Sequence, residues 1–188
     1  SVTVDTWSAV WDAADVADTL IAGNDAKKYS NLVFAGIEFT SAPVNASAMT
    51  GFHMDIWTPD PTTAGATFKV KLVDFGADGG FGGGDDVEHE LTFTNASTPP
   101  LATGSWVGID VPFSAFTGLV TRAHLAQMVI SGTLSTFYID NVYFYTTGGA
   151  PTLSSIAITP SPVNLAPAGT QQLTVTGTYS DATTADLT

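Results

Sequence analysis

Polar and apolar residues alternate strictly in several short segments of this chain, and this period of two constrains the fold more than any other feature. The alternation runs through residues 52–57, 68–72, 88–93 and 106–111. Successive side chains of a β-strand point to opposite faces of a sheet, so these segments are predicted to be half-buried strands. Glycine, proline, asparagine and aspartate fill the gaps between them, as turns require. The chain is therefore predicted to be all-β and to form a β-sandwich.

One stretch departs from this pattern. Residues 10–20 contain several alanines and three aspartates and show no strict alternation. The composition is typical of a short helix or of a long loop, and it predicts one of the two here.

The amino-acid composition of the sequence changes near residue 146. Up to this point it is rich in aromatic residues, whereas Thr-Thr-Gly-Gly-Ala-Pro at 146–151 begins a segment with repeated prolines. We therefore expect a β-sandwich domain over residues 1–146, a linker over 147–152 and a second, partial domain over 153–188. The second segment resembles the start of a bacterial immunoglobulin-like domain, and such domains run to about 80–100 residues. Either the chain is a fragment, or another chain completes this segment by self-assembly.

Composition narrows the class of ligand. The net charge is −13, with only five lysines and arginines in 188 residues. Such a balance disfavours nucleic acids and anionic membranes as partners and suits cations and neutral ligands. The chain has no cysteine, so disulfides and thiolate sites are ruled out.

An acidic, glycine-rich segment lies between two predicted strands. Residues 74–90 hold six acidic residues and six glycines. Glycine permits the positive φ angles of tight loops, and clustered carboxylates are the ligands that Ca²⁺ prefers. A structural Ca²⁺ is predicted here, with the ligands Asp74, Asp78, Asp85 and Asp86. The spacing matches an EF-hand only in part, so the alternative is a solvated hairpin loop.

The outward residues of the predicted strands could form one ligand surface. If residues 68–72 and 88–93 pair as a hairpin, their lysines face their glutamates. Together with a third strand they would place polar groups around an aromatic ring, an arrangement that suits a sugar. The residues predicted for this surface are His53, Asp55, Trp57, Lys69, Lys71, Glu88 and Glu90, with Phe81 and Trp106 as further stacking platforms. Trp7 and Trp11 are predicted to be packing residues. The alternative is a solvated face with weak ion pairs.

No catalytic constellation is evident. The only glutamates are Glu38, Glu88 and Glu90, and lysines are expected to pair with the last two. A retaining glycosidase needs two carboxyl groups about 5 Å apart, one of them with a raised pKa. The sequence also lacks a Gly-x-Ser-x-Gly elbow and a His-Glu-x-x-His zinc motif. The protein is therefore not expected to be an enzyme.

Several separate motifs resemble a known family. They lie at residues 4–7, 34–39, 49–57, 71–79, 82–89, 110–113 and 139–144. Together they look like a non-catalytic carbohydrate-binding module appended to bacterial laminarinases and related β-1,3-glucanases. The resemblance implies a galactose-binding-like jelly-roll β-sandwich with a β-glucan as its ligand. It also implies a structural Ca²⁺ near the chain start, to which Asp140 would contribute.

These inferences combine into one expectation about function. We expect a secreted or cell-surface module that binds a laminarin-like β-glucan and targets an attached glycoside hydrolase. The alternative is a structural or adhesive module of a large extracellular surface or filament protein.

Overall fold

A computed structural model describes residues 3–21, 23–146, 153–163, 165, 167–179 and 184–188. The chain divides into two compact units, Ser1–Thr146 and Thr147–Thr188. The described residues contain strands, turns and one short 3-10 turn at Phe113–Ala115, and no α-helix. Among them, no helix is long and apolar enough to span a membrane.

The described residues of the first unit form eight strands. They are β1 (Ala13–Ile21), β2 (Asn24–Glu38), β3 (Gly51–Trp57), β4 (Phe68–Asp74), β5 (Val87–Phe93), β6 (Val107–Pro112), β7 (Leu125–Gly132) and β8 (Phe137–Tyr145). Seven of them follow the order β5-β4-β7-β2-β8-β3-β6, and β1 pairs with β2. All of these pairings are antiparallel. The all-β prediction is therefore confirmed.

The 15-residue strand β2 turns this sheet into a sandwich. Its residues 34–38 pair with β7, whereas its residues 27–29 pair with β8. Between the two stretches Asn31 adopts a left-handed backbone, with a φ of 52°. We call β5, β4, β7 and residues 34–38 of β2 the first layer. The second layer consists of β1, residues 24–30 of β2, β8, β3 and β6.

The core lies between the two layers. Alternate residues of β3 (Phe52, Met54, Ile56) and of β4 (Phe68, Val70, Leu72) are buried in one hydrophobic cluster. Burying each such side chain stabilises the fold by roughly 1.5–3 kcal/mol. Tyr29 is also fully buried; its hydroxyl donates to the Trp7 carbonyl at 2.7 Å, and burial raises its pKa well above the usual value.

The prediction of a helix or loop at residues 10–20 is wrong. From Ala13 onward this stretch is strand β1, which pairs with β2 along most of its length. Ala14 and Val16 pack against the core. Pairing and burial therefore override the helical preference of the alanines.

The second unit is a small antiparallel sheet. Its strands are β9 (Leu153–Thr159), β10 (Thr174–Tyr179) and β11 (Thr184–Asp186), in the order β11-β10-β9. Every residue of β9 is exposed, including Leu153, Ile156 and Ile158. The immunoglobulin-like assignment of this segment stays a prediction.

Candidate functional site

The predicted single ligand surface is divided between two sides of the sandwich. Phe52, Met54 and Ile56 of β3 point into the core, so their neighbours His53, Asp55 and Trp57 point outward from the second layer. By the same alternation, Lys69 and Lys71 of β4 point outward from the first layer. The prediction that all seven residues share one face is therefore wrong, because β2 bends and places β3 and β4 in opposite layers.

The lysine–glutamate pairing predicted for β4 and β5 is present. These strands pair in register from Phe68 opposite Phe93 to Asp74 opposite Val87. Lys69 Nζ lies 2.9 Å from Glu90 Oε1, and Lys71 Nζ lies 2.8 Å from Glu88 Oε1. We call these four residues the ion-pair ladder. It gives the outward face of the first layer alternating donors and acceptors in fixed positions.

An exposed tryptophan lies on the same face. The indole of Trp11 covers Gly36, where an added Cβ would collide with the ring. It stacks on Phe34 at 6.0 Å between ring centroids with an interplanar angle of 17°. Its Nε1 donates to Glu38 Oε1 at 2.9 Å. Because the ring is still 43% exposed, it offers an apolar surface in a fixed orientation.

The strand register connects Trp11 to the ion-pair ladder. Gly36 lies opposite Val129 of β7, Val129 lies opposite Lys71 of β4, and Lys71 lies opposite Glu90 of β5. This row crosses four strands and is about 15 Å long, since neighbouring strands are about 4.8 Å apart. We call this face, from Trp11 to the ion-pair ladder, the Trp11 surface.

Glu38 and Gln127 complete the polar part of the Trp11 surface. They are direct partners in the register of β2 and β7, and Gln127 Nε2 lies 3.5 Å from Glu38 Oε1. Neither residue, nor Trp11, belongs to the predicted ligand set. Gly36 is the signal that could have located the tryptophan, because glycine inside a strand often marks the close approach of another group.

On the second layer, His53, Asp55 and Trp57 have neighbours from β6 and β8. His53 Nδ1 lies 2.8 Å from Asp110 Oδ1, and its ring stacks on Tyr143 at 4.6 Å. Trp57 contacts Tyr138 edge-on at 5.2 Å. The outward face of this layer is therefore also lined with rings and carboxylates.

The other two predicted stacking platforms, Phe81 and Trp106, are both exposed. Phe81 is 68% exposed in the loop that joins β4 to β5, 5.7 Å from the ring of Phe75. Trp106 is 42% exposed and directly precedes β6.

The acidic loop uses its carboxylates to hold its own backbone. Asp85 Oδ2 accepts a hydrogen bond from the Ala77 N–H at 2.7 Å, Asp78 Oδ1 from Gly80 at 2.9 Å, and Asp86 Oδ2 from Gly82 at 2.6 Å. The other oxygen of Asp86 is buried without a hydrogen-bond partner within the described chain.

The remaining predicted metal ligands lie elsewhere. Asp74 is fully buried and accepts hydrogen bonds from the N–H groups of Gly76 and His124, at 2.9 and 2.8 Å. Asp140 lies on β8, where it accepts hydrogen bonds from Asn24 and from the Asn141 N–H. In the part of the chain that the structure describes, no three histidine or acidic residues are grouped as a metal site would require. The five predicted ligands do not form one such group, and the Ca²⁺ stays a prediction.

Comparisons with known proteins agree at the level of the fold. No family model and no curated protein matches this sequence. Among solved structures, a carbohydrate-binding module specific for non-crystalline cellulose, CBM28, has a TM-score of 0.50 and 12% identity, covering 69% of this chain and 79% of its own. A family 11 module from Clostridium thermocellum, solved with a β-1,3-1,4-mixed-linked tetrasaccharide, has a TM-score of 0.47 and 15% identity, covering 72% and 85%. The similarity to the CBM28 module shows a shared fold, which confirms the predicted jelly-roll β-sandwich.

Proposed function

We propose that this protein is a non-catalytic carbohydrate-binding module that binds a neutral polysaccharide on the Trp11 surface. The carrying observation is the exposed indole of Trp11, packed against Gly36 and hydrogen-bonded to Glu38 beside the ion-pair ladder. A rigid aromatic ring stacks on the C–H face of a sugar, and carboxylates and amides hydrogen-bond its hydroxyl groups. Since the partners are preformed, little conformational entropy is lost on binding.

The charges of this surface support a neutral ligand. Lys69 and Lys71 are each paired with a glutamate, so no unpaired cation among them is available to an anionic sugar. The net charge of −13 adds a repulsive field for polyanions. A β-glucan is our proposed ligand, including the laminarin-like β-1,3-glucan that the sequence resemblance implies.

The same ion pairs support a binding role without turnover. A retaining glycosidase needs two carboxyl groups that both act on the scissile bond. Glu88 and Glu90 are instead each held in an ion pair with a lysine, at 2.8 and 2.9 Å. We propose that the module is secreted or on the cell surface and targets an attached glycoside hydrolase to its substrate.

Titration calorimetry with laminarin and with mixed-linkage β-glucan tests the proposal. We expect binding to both or to one of them, and Trp11→Ala to weaken binding at the Trp11 surface by about 30-fold. A central tryptophan in an interface is worth on the order of 2 kcal/mol, which corresponds to this factor.

The matched control is Trp106→Ala. Trp106 is 42% exposed against 43% for Trp11, but it precedes β6 in the other layer. The variant Trp106→Ala should leave the affinity of the Trp11 surface for β-glucan unchanged. The proposal would be refuted if the wild-type chain gave heat with neither glucan. It would also be refuted if Trp11→Ala and Trp106→Ala lost affinity equally.

The second unit supports a second candidate, a structural or adhesive role. Leu153, Ile156 and Ile158 of β9 are 47%, 56% and 50% exposed. Exposed apolar strands are prone to pair with other chains. On this reading the chain assembles through residues 153–188, and the association state of the purified protein tests it.

A further inference from the structure

A second surface of aromatic and acidic side chains lies on the outward face of the second layer. It is formed by β3, β8 and β6, on the other side of the sandwich from Trp11. We call it the Tyr143 surface, and its members are His53, Asp55, Asp110, Asn141, Tyr143 and Tyr145.

A β-bulge in β8 sets the positions of its rings. The register between β3 and β8 shifts between His53 and Asp55, and Asn141 has a left-handed backbone with a φ of 50°. Such a bulge adds one residue to a strand and changes the direction of the side chains that follow. As a result, Tyr143 lies opposite His53 and stacks on it with an interplanar angle of 17°.

The second ring, Tyr145, is also on β8 and contacts the neighbouring strand β3. It covers Gly51, where an added Cβ would collide with it, much as Trp11 covers Gly36 on the first layer. The two tyrosine rings are 6.2 Å apart, and Tyr143 is 49% exposed. Tyr143 is therefore held against His53 and Tyr145 against β3, with the two tyrosine rings at an interplanar angle of 67°, and Tyr143 stays partly exposed.

Carboxylates with spare capacity surround these rings. Asp110 accepts a hydrogen bond from His53, yet its side chain is 61% exposed. Asp55 Oδ2 accepts a hydrogen bond from Asn141 Nδ2 at 2.8 Å, and Asp55 Oδ1 lies 3.4 Å from His53 Nε2. A carboxylate offers about four acceptor positions. Positions therefore remain on Asp110 and Asp55 for further donors such as sugar hydroxyls.

We propose that the Tyr143 surface is a second glycan-binding surface, so that one chain binds two polysaccharide strands and cross-links them. The ligand class follows from charge. This face carries three acidic side chains, Asp55, Asp110 and Asp140. The basic side chains beside them are Lys28, which lies 5.8 Å from the Tyr138 ring, and His53, which is paired with Asp110. An acidic face repels polyanions and accepts hydrogen bonds from the hydroxyls of a neutral polysaccharide. This inference rests on the proposed function, because it assigns the same ligand class to both sides.

The experiment counts sites on the full chain. In titration calorimetry with a β-1,3-glucan hexasaccharide and with a mixed-linkage β-glucan oligosaccharide, we expect two sites per wild-type chain. Trp11→Ala and Tyr143→Ala should each leave one, and the double variant none. With long mixed-linkage β-glucan, light scattering should rise for the wild type and stay at baseline for both single variants, because only a bivalent chain cross-links polymers.

Controls separate stacking from folding. Tyr143→Phe keeps a ring over His53 and should keep two sites. Leu20→Ala removes a more exposed apolar side chain, 69% exposed at the end of the β1–β2 hairpin, and should also keep two sites. If thermal melting shows that Tyr143→Ala is unfolded, Tyr145→Ala takes its place.

The outcomes distinguish the two proposals. One site in the wild type, or two sites retained in both tyrosine variants, overturns the Tyr143 surface and leaves the Trp11 surface standing. Loss of all binding in Trp11→Ala also overturns the Tyr143 surface, because no second site would then remain. No binding by the wild-type chain to either oligosaccharide overturns both surfaces.

Discussion

Gly36 determines whether the indole of Trp11 can lie on the first layer. The ring occupies the space where any other residue would place its Cβ. Gly36→Ala must therefore lift the ring and break the contact with Glu38, and we expect β-glucan to bind the Trp11 surface about tenfold more weakly. The measurement is titration calorimetry together with tryptophan fluorescence.

Gly80→Ala is the matched control for this substitution. An added Cβ at Gly80 meets nothing within 4 Å. Its affinity should equal that of the wild type. Unchanged affinity in Gly36→Ala would mean that the ring position does not matter for the ligand.

Residues differ in how far the sequence predicts their role. Alternation along β4 and β5 fixes which side chains share a face, so the ion-pair ladder is predictable from a local pattern. The position of Trp11 depends instead on a long-range arrangement. The Ala9 N–H donates to the Gly36 carbonyl, and this hydrogen bond brings the N-terminal segment alongside β2. No local pattern around residue 11 encodes that contact.

At the scale of elements, β2 explains why the predicted surface was divided. Alternation shows which residues of a strand share a face, but it does not show that one strand belongs to two layers. The left-handed residue Asn31 lies between the part of β2 that pairs with β8 and the part that pairs with β7. Strands β3, β4, β5 and β6 were predictable from alternation, whereas β1 was not, and the layer to which β3 belongs depends on this bend.

The acidic loop between β4 and β5 carries a prediction of its own. Asp85→Ala removes the acceptor of the Ala77 N–H. A lost hydrogen bond of this kind costs about 1 kcal/mol, or roughly 2–4 °C in melting temperature for a chain of this size. We expect this decrease in EDTA, measured by thermal unfolding.

The same measurement tests the predicted Ca²⁺. A bound ion would raise the melting temperature of the wild type in a concentration-dependent way. That increase should disappear in Asp85→Ala and in Asp78→Ala. Identical melting of the wild type in Ca²⁺ and in EDTA would contradict the metal and leave the loop to its own hydrogen bonds.

At the scale of the whole molecule, both proposed glycan surfaces and the core that supports them belong to the first unit. The core residues lie between Tyr29 and Ile139, within Ser1–Thr146. The domain boundaries proposed from the sequence, with a linker over 147–152, stay a prediction. Recognition and any assembly should therefore be separable by truncation.

We expect residues 1–146 alone to fold and to bind β-glucan within about twofold of the affinity of the full chain. The full chain should self-associate at high concentration, because β9 exposes Leu153, Ile156 and Ile158, whereas residues 1–146 should stay monomeric. Sedimentation velocity and titration calorimetry on both forms check this. The double variant Ile156→Thr, Ile158→Thr of the full chain should associate less and bind β-glucan with unchanged affinity. Weaker glucan binding by residues 1–146 would instead place part of the binding surface in the second unit.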